Sequence, residues 1–135
     1  MTSSTPASEF AADTLALVLR LENRALGPRA RCIFAAVESG QAQLHVPAMV
    51  FAEIMYLSEK GRIEASLSDV ADYMEQHPNC KAYPPDLPVV QSAAEITDVP
   101  ELHDRLIAGT ARVLDVELIT ADSAIEASRF ARTVW

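Results

Sequence analysis

Glycine is scarce in this chain, with four residues in 135. No glycine-rich loop of the kind that cradles phosphates is present, and no Asp-x-Asp follows the first expected strand. Both absences disfavour the common phosphotransferase architectures. Cysteine is scarcer still, with only Cys32 and Cys80. Two thiols form neither a disulfide framework nor a complete zinc site, and none of His45, His77 and His103 has ligand spacing to either. Both are expected to be buried, reduced thiols of a cytoplasmic protein. No apolar stretch approaches the roughly 20 residues a transmembrane helix needs. Met1 to Ser8 lack the basic and long apolar regions of a secretory signal, so no membrane association is expected. Positive charge is in the minority: 11 Lys and Arg against 19 Asp and Glu, a net charge of −8. Taken alone, that argues against a broad basic face for nucleic acid.

What the chain does have is alanine, 22 residues of it, and a hydrophobic half. Alanine favours helices, and the length suits one α/β domain with a real core. Residues 1–7 are expected to be a flexible tail and 8–135 a single domain. Residues 8–12 are a weak strand candidate. Leu15, Leu17, Val18, Leu19 and Leu21 follow as a dense apolar run, expected to be a buried helix. Pro28 opens a helix over 28–39, which Gly40 ends. Alternation marks a strand over 41–46, and Pro47 opens a helix that Gly61 stops. A helix over 66–76, a strand over 80–83, helices over 88–97 and 100–114, a strand over 116–120, a short helix over 123–128 and a last strand over 130–135 complete the chain. Strands alternating with long helical crossovers predict a mainly parallel sheet of four to five short strands, with helices on both faces. In such sheets, sites form at the carboxyl ends of the strands.

Acids stand at those ends. Asp13 and Asp122 each follow an expected strand. Glu53 lies in the second turn of the helix after the 41–46 strand, and Asp104 in the first turn of the 101–114 helix. Glu53 and Asp104 are both set among apolar neighbours, where carboxylates are rare without partners. Each acid taken singly has a plainer reading, as a helix cap for Asp13 and Asp122, a dipole partner for Asp104, or an ion pair with Arg62 for Glu53. Four carboxylates converging on one edge would instead repel unless a cation neutralised them. Hard ions that prefer oxygen ligands, Mg²⁺ or Mn²⁺, are the natural partner, and such a site suits phosphoryl-transfer chemistry.

The chain here resembles a known family. The motifs are Asp13-Thr14 with Ala16-Leu17-Val18, then Leu26-Gly27-Pro28-Arg29-Ala30-Arg31, Val46-Pro47-Ala48 leading to Ala52-Glu53-Ile54, and Glu59-Lys60-Gly61-Arg62-Ile63. Val99-Pro100-Glu101-Leu102-His103-Asp104-Arg105-Leu106-Ile107-Ala108-Gly109-Thr110-Ala111 and Leu118-Ile119-Thr120-Ala121-Asp122 with Ile125 are the most specific. Together they resemble a PIN domain across residues 9–127. The extra Asp-Pro that many relatives carry before the third acid is missing, since His103 abuts Asp104 directly. The resemblance implies a three-layer α/β fold and a metal-dependent endoribonuclease, of the VapC type found as toxins of toxin–antitoxin pairs. It implies that Asp13, Glu53, Asp104 and Asp122 are the catalytic quartet that coordinates Mg²⁺ or Mn²⁺. Thr14 and Thr120, next to two of the acids, would supply supporting hydrogen bonds, with capping or strand propensity as their plainer role; Arg105 beside Asp104 either contacts phosphate or lies on a solvated, ion-paired helix face. RNA as substrate, a cognate antitoxin and a homodimer are the implied partners. A catalytically degenerate PIN-like binding module is the alternative.

His103 has a simpler expected role, a local hydrogen bond at a helix start. Arg20, Arg24, Arg29 and Arg31 cluster after Asp13, either in ion pairs with Glu22 and Glu38 or facing phosphate. The acidic net charge is also unevenly placed. Residues 63–103 hold eight acids and one base, Lys81. The Arg-bearing segments near Asp13 and Asp104 therefore remain free to meet RNA despite the overall sign. The Met49, Met55 and Leu57 side chains are expected to pack in the core, with a partner groove as the other reading.

Overall fold

Phe10, Ala11 and Ala12 are consecutive and all buried, although successive side chains of a strand point to opposite faces. Such a strand lies inside a sheet covered on both sides. The computed structural model has that architecture. It describes residues 8–135, and the expected tail at 1–7 lies outside the described residues. The order is β1 (Glu9–Ala12), α1 (Thr14–Leu21), α2 (Pro28–Glu38), β2 (Gln43–Pro47), α3 (Ala48–Glu59), α4 (Leu67–Gln76), β3 (Cys80–Tyr83), α5 (Leu87–Glu95), α6 (Leu102–Leu114), β4 (Glu117–Ile119), α7 (Ser123–Glu126) and β5 (Thr133–Val134). The five strands form one sheet in the order β3-β2-β1-β4-β5. Every pairing is parallel. Helices flank the sheet in a three-layer α/β fold.

Local chemistry sets the boundaries. Gly40 and Gly61 adopt positive φ after α2 and α3, the conformation that ends helices most cheaply at glycine. Pro28 starts α2. Ser66 and Asp69 form a reciprocal capping box at α4. The core joins Leu17 and Val18 of α1, Phe34 of α2, Leu44 and Val46 of β2, Ile54 of α3, Ile107 of α6 and Leu118 and Ile119 of β4.

Four expectations change. Cys80 is buried but Cys32 is exposed on α2. Leu15 is half exposed, so the apolar run in α1 is not uniformly internal. The last two strands are shorter than their sequence suggests, three residues in β4 and two in β5. The 100–114 helix begins at Leu102, where the Glu101 side chain accepts from the Asp104 N–H.

β1 is the turning point of the topology. The chain leaves it for β2 on one side and returns to β4 on the other. Crevices at the carboxyl ends of open parallel sheets form at such a reversal.

Candidate active site

At that reversal, Ala12 of β1 pairs with Ile119 of β4, and the Asp13 N–H donates to the Ile119 carbonyl. The residues that follow both strands are thereby brought side by side. Asp13 caps α1, accepting from the Ala16 N–H at 2.8 Å through Oδ1. Its Oδ2 accepts from the hydroxyl of Thr120, 107 residues away in sequence. Thr120 is fully buried, and its oxygen also accepts from the Asp122 N–H at 3.0 Å. Asp122 in turn caps α7, accepting from the Ile125 N–H at 3.0 Å. Capping and site-building coincide in both aspartates.

Helix α3 brings the third acid. Glu53 is half-buried and accepts from the Thr14 hydroxyl through Oε1. Its Oε2 lies 3.3 Å from Nδ1 of His103, which stands 3.5 Å from Glu101 as well. Asp104 comes from the first turn of α6. All four acids line a cleft of about 460 Å³, with Thr14, Leu15, Val18, Leu57, Ile63 and Ile107 among the other walls. A second cavity of about 490 Å³ lies away from these acids, among Arg20, Glu22, Glu38 and Tyr73. Arg20, Glu38, Tyr73 and Glu22 there are paired: Arg20 binds Glu38, the Tyr73 hydroxyl donates to Glu38 at 2.7 Å, and Glu22 accepts from the Glu64 and Ala65 N–H groups.

The electrostatics of the cleft match its composition. Burial pushes the Asp13 carboxyl from 3.8 up to about 6. The Thr120 and Ala16 hydrogen bonds oppose that rise, and the charges of Asp122 and Glu53 add to it. Asp104 also rises to about 6, first through burial and then through the charges of Asp122, Glu101, Glu53 and Asp13. These acids are close enough to feel one another, and the folded chain supplies too little positive charge to relieve them. An all-carboxylate donor set of this kind suits a hard divalent cation. The set is open: among the described residues, no three His, Cys, Asp or Glu side chains are grouped closely enough to hold an ion as they stand. The hydrogen bonds from Thr14, Thr120, Ala16 and Ile125 hold individual oxygens of the cleft and leave their remaining lone pairs available.

The arginines resolve differently. Arg20 and Arg24 pair with Glu38 and Glu22. Arg105 does not line the cleft; its guanidinium donates to the carbonyls of Ala93 and Ala94 at 3.1 and 3.3 Å. Those contacts clamp α6 to α5. The contact that sequence reading did not anticipate is His103 facing Glu53 across two helices, which no local spacing signals.

A family model described as PIN domain matches residues 12–131. Compared by sequence with curated proteins, the chain matches none. Among solved structures, it is similar to a chain of VapBC2 from Rickettsia felis, bound to a promoter DNA fragment. That match has a TM-score of 0.72 at 13% identity, covering 94% of this chain and 98% of the other. DNA-bound VapBC from Salmonella typhimurium gives 0.69 at 18%, covering 94% and 97%. FitAcB from Neisseria gonorrhoeae gives 0.63 at 16%, covering 93% and 96%. At these identities the likeness is one of fold.

Proposed function

This chain belongs to the PIN domain family, whose members are generally nucleases, and we propose that it is a divalent-metal-dependent endoribonuclease, the VapC-type toxin of a type II toxin–antitoxin pair. One observation carries the chemistry: Asp13, Glu53, Asp104 and Asp122 line one cleft at the β1/β4 reversal, with Asp13 and Asp104 both raised to about 6. The four carboxylates would hold Mg²⁺ or Mn²⁺. The ion, when bound, supplies a Lewis acid that acidifies water and offsets the charge of the reacting phosphate.

The chain's own groups prepare that site. Thr120 and the Ala16 N–H fix both oxygens of Asp13, so its carboxylate plane cannot rotate freely. Thr14 holds one oxygen of Glu53 and leaves the other facing His103. The Ile125 N–H orients Asp122. Ile107, Val18 and Ile63 wall the cleft with apolar surface, which strengthens every charge interaction inside it. Thr14→Val is expected to release Glu53 while preserving shape. Its apparent Mn²⁺ affinity should fall by about tenfold, the usual scale for loss of a supporting hydrogen bond. Calorimetric titration checks this; an unchanged affinity would remove Thr14 from the site.

Partner binding is part of the reading. One similar solved structure, from Klebsiella pneumoniae, is by its name a toxin–antitoxin complex, and two others are VapBC assemblies bound to DNA, which supports an antitoxin as the partner of this chain. Leu87 and Val90 on α5 and Leu102 on α6 are large, apolar and exposed. Surfaces of that kind support assembly, here with an antitoxin and with a second copy as a homodimer. No described helix is long and apolar enough to cross a membrane, and a cytoplasmic setting accords with the proposal.

The decisive experiment is cleavage. Purified protein should cut single-stranded RNA with Mg²⁺ or Mn²⁺, stop in EDTA, and lose at least about a hundredfold in rate with Asp104→Asn, as expected for a group that holds the catalytic ion. Metal-independent cutting, or a fully active Asp104→Asn protein, would sink the proposal. The open arrangement of the acids also keeps a binding module in view, one that uses the fold without turnover. Weak Mn²⁺ binding together with inactive wild type would favour that alternative.

A further inference from the structure

The helix that presents Glu53 to the acidic cleft also borders a second hollow. Met49, Ala52, Tyr56 and Leu57 of α3, with Glu53 and His103, enclose about 350 Å³. Most of that wall is hydrocarbon or aromatic ring, and the polar groups are Glu53 and His103. Glu53 and Leu57 belong to both cavities, so the hollow opens directly beside the acids. Tyr56 is 51% exposed, a high value for a large aromatic residue next to a catalytic cleft. The Lys60 ammonium lies 5.5 Å from the centre of its ring.

We propose that this hollow is a nucleobase subsite, in which the base adjoining the scissile phosphate stacks on Tyr56. The proposal rests on the ribonuclease reading and specifies how the substrate is held. A base has two apolar faces and a polar edge. The hollow offers apolar walls in Met49 and Leu57, a ring in Tyr56, and a hydrogen-bonding group in the His103 imidazole. An exposed aromatic ring beside a cation is the usual means of holding single-stranded nucleic acid, the ring taking the base and the cation the backbone. Lys60 supplies that cation on a chain of net charge −8. Sharing Glu53 places the base and the phosphate at the cleft within one nucleotide of each other. An apolar side chain from a protein partner would fill the same hollow but would make no use of Lys60.

The test uses an RNA oligonucleotide that the wild type cuts at one bond, with a single abasic residue stepped along it. Wild-type kcat/KM should fall by about tenfold when the abasic residue adjoins the scissile phosphate, the scale of one base–aromatic stack. Tyr56→Ala should show a similar loss on intact RNA and no further loss at the abasic position. Tyr56→Phe should behave as wild type. A merely structural role for Tyr56 would not erase that position dependence. Tyr56→Ala cutting intact RNA at the wild-type rate, or keeping the wild-type sensitivity to the abasic position, overturns the subsite. Normal cleavage by Tyr56→Ala with lost inhibition by an antitoxin also overturns it and assigns the hollow to a protein partner. Wild type that cuts no RNA with either metal overturns the ribonuclease reading and the subsite with it, whereas active wild type with an unaffected Tyr56→Ala overturns the subsite alone.

Discussion

Asp13→Asn is expected to make the metal-free protein more stable while abolishing the proposed ribonuclease activity. Asp13 is 7% exposed, and burial raises its carboxyl from 3.8 to about 6. Between those values the folded chain holds a proton that the unfolded chain releases, so stability falls as pH rises through the window. Above about pH 6 the deficit is complete, on the order of 3 kcal/mol. Asparagine removes the charge and keeps an acceptor for the Ala16 N–H. It weakens the Thr120 contact, which costs about 1 kcal/mol. The net expectation at pH 7.5 in EDTA is a gain of about 2 kcal/mol, or on the order of 5 °C in Tm. Urea melts from pH 4 to 8 provide the measurement: wild-type stability should decline across pH 4–6, and the variant should follow a flatter line. Mn²⁺ should then stabilise wild type more than the variant, because a ligand of the folded state stabilises only where it binds. A variant with the wild-type pH slope would show that Asp13 carries no unrelieved charge. Asp104 is raised similarly but is less buried, so solvent screening makes its share smaller.

Gly109→Val is expected to destabilise the protein by about 3 kcal/mol, the upper range for overpacking a tight contact. A Cβ at Gly109 would stand 3.0 Å from the Val89 carbonyl and 3.1 Å from the Ala93 nitrogen, both backbone atoms of α5. Backbone cannot rotate away as a side-chain tip can, so α6 must move off α5. Alanine there gains about 1 kcal/mol in helix propensity, offsetting much of its own smaller clash. The expected pattern is thus a near-neutral Gly109→Ala and a severe Gly109→Val, read from urea midpoints. The proposed ribonuclease activity should fall with the valine variant by about tenfold under folding conditions, because a 1 Å misplacement of a proposed metal ligand is costly. Asp104 rides on α6, and Arg105 ties that helix to the Ala93 and Ala94 carbonyls. A valine variant as stable as wild type would show that the two helices have slack where the structure has none.

The strand that organises the site was the least legible in sequence. Glu9-Phe10-Ala11-Ala12 has little strand propensity, yet β1 is the central strand. Its small residues fit because helices press on both faces and leave Ala11 and Ala12 no exposed surface. Strand preference is set by such neighbours more than by the residues themselves. The opposite error occurred at Cys32, which a general rule places inside and α2 turns outward. Leu15 likewise faces the cleft rim instead of the core.

Helix limits were legible because their signals are local. Pro28, Gly40, Gly61 and the Ser66 box act within a turn of where they stand. The placement of Asp13 and Asp122 after parallel strands was legible for the same reason, since strand, acid and helix follow in order. The Arg105 partners were not legible, because they are the carbonyls of a different helix.

By itself, then, the amino-acid order determined the alternation of elements, the parallel sheet that long crossovers require, and the four acids at its carboxyl edge. Only the tertiary structure decided which partners hold the oxygens of those acids. Thr120 reaches Asp13 over 107 residues and Thr14 reaches Glu53 over 39, distances at which sequence periodicity carries no information. It also decided the acids' energy. A carboxyl rises to about 6 because water is excluded and like charges converge, and neither condition exists until the chain has folded.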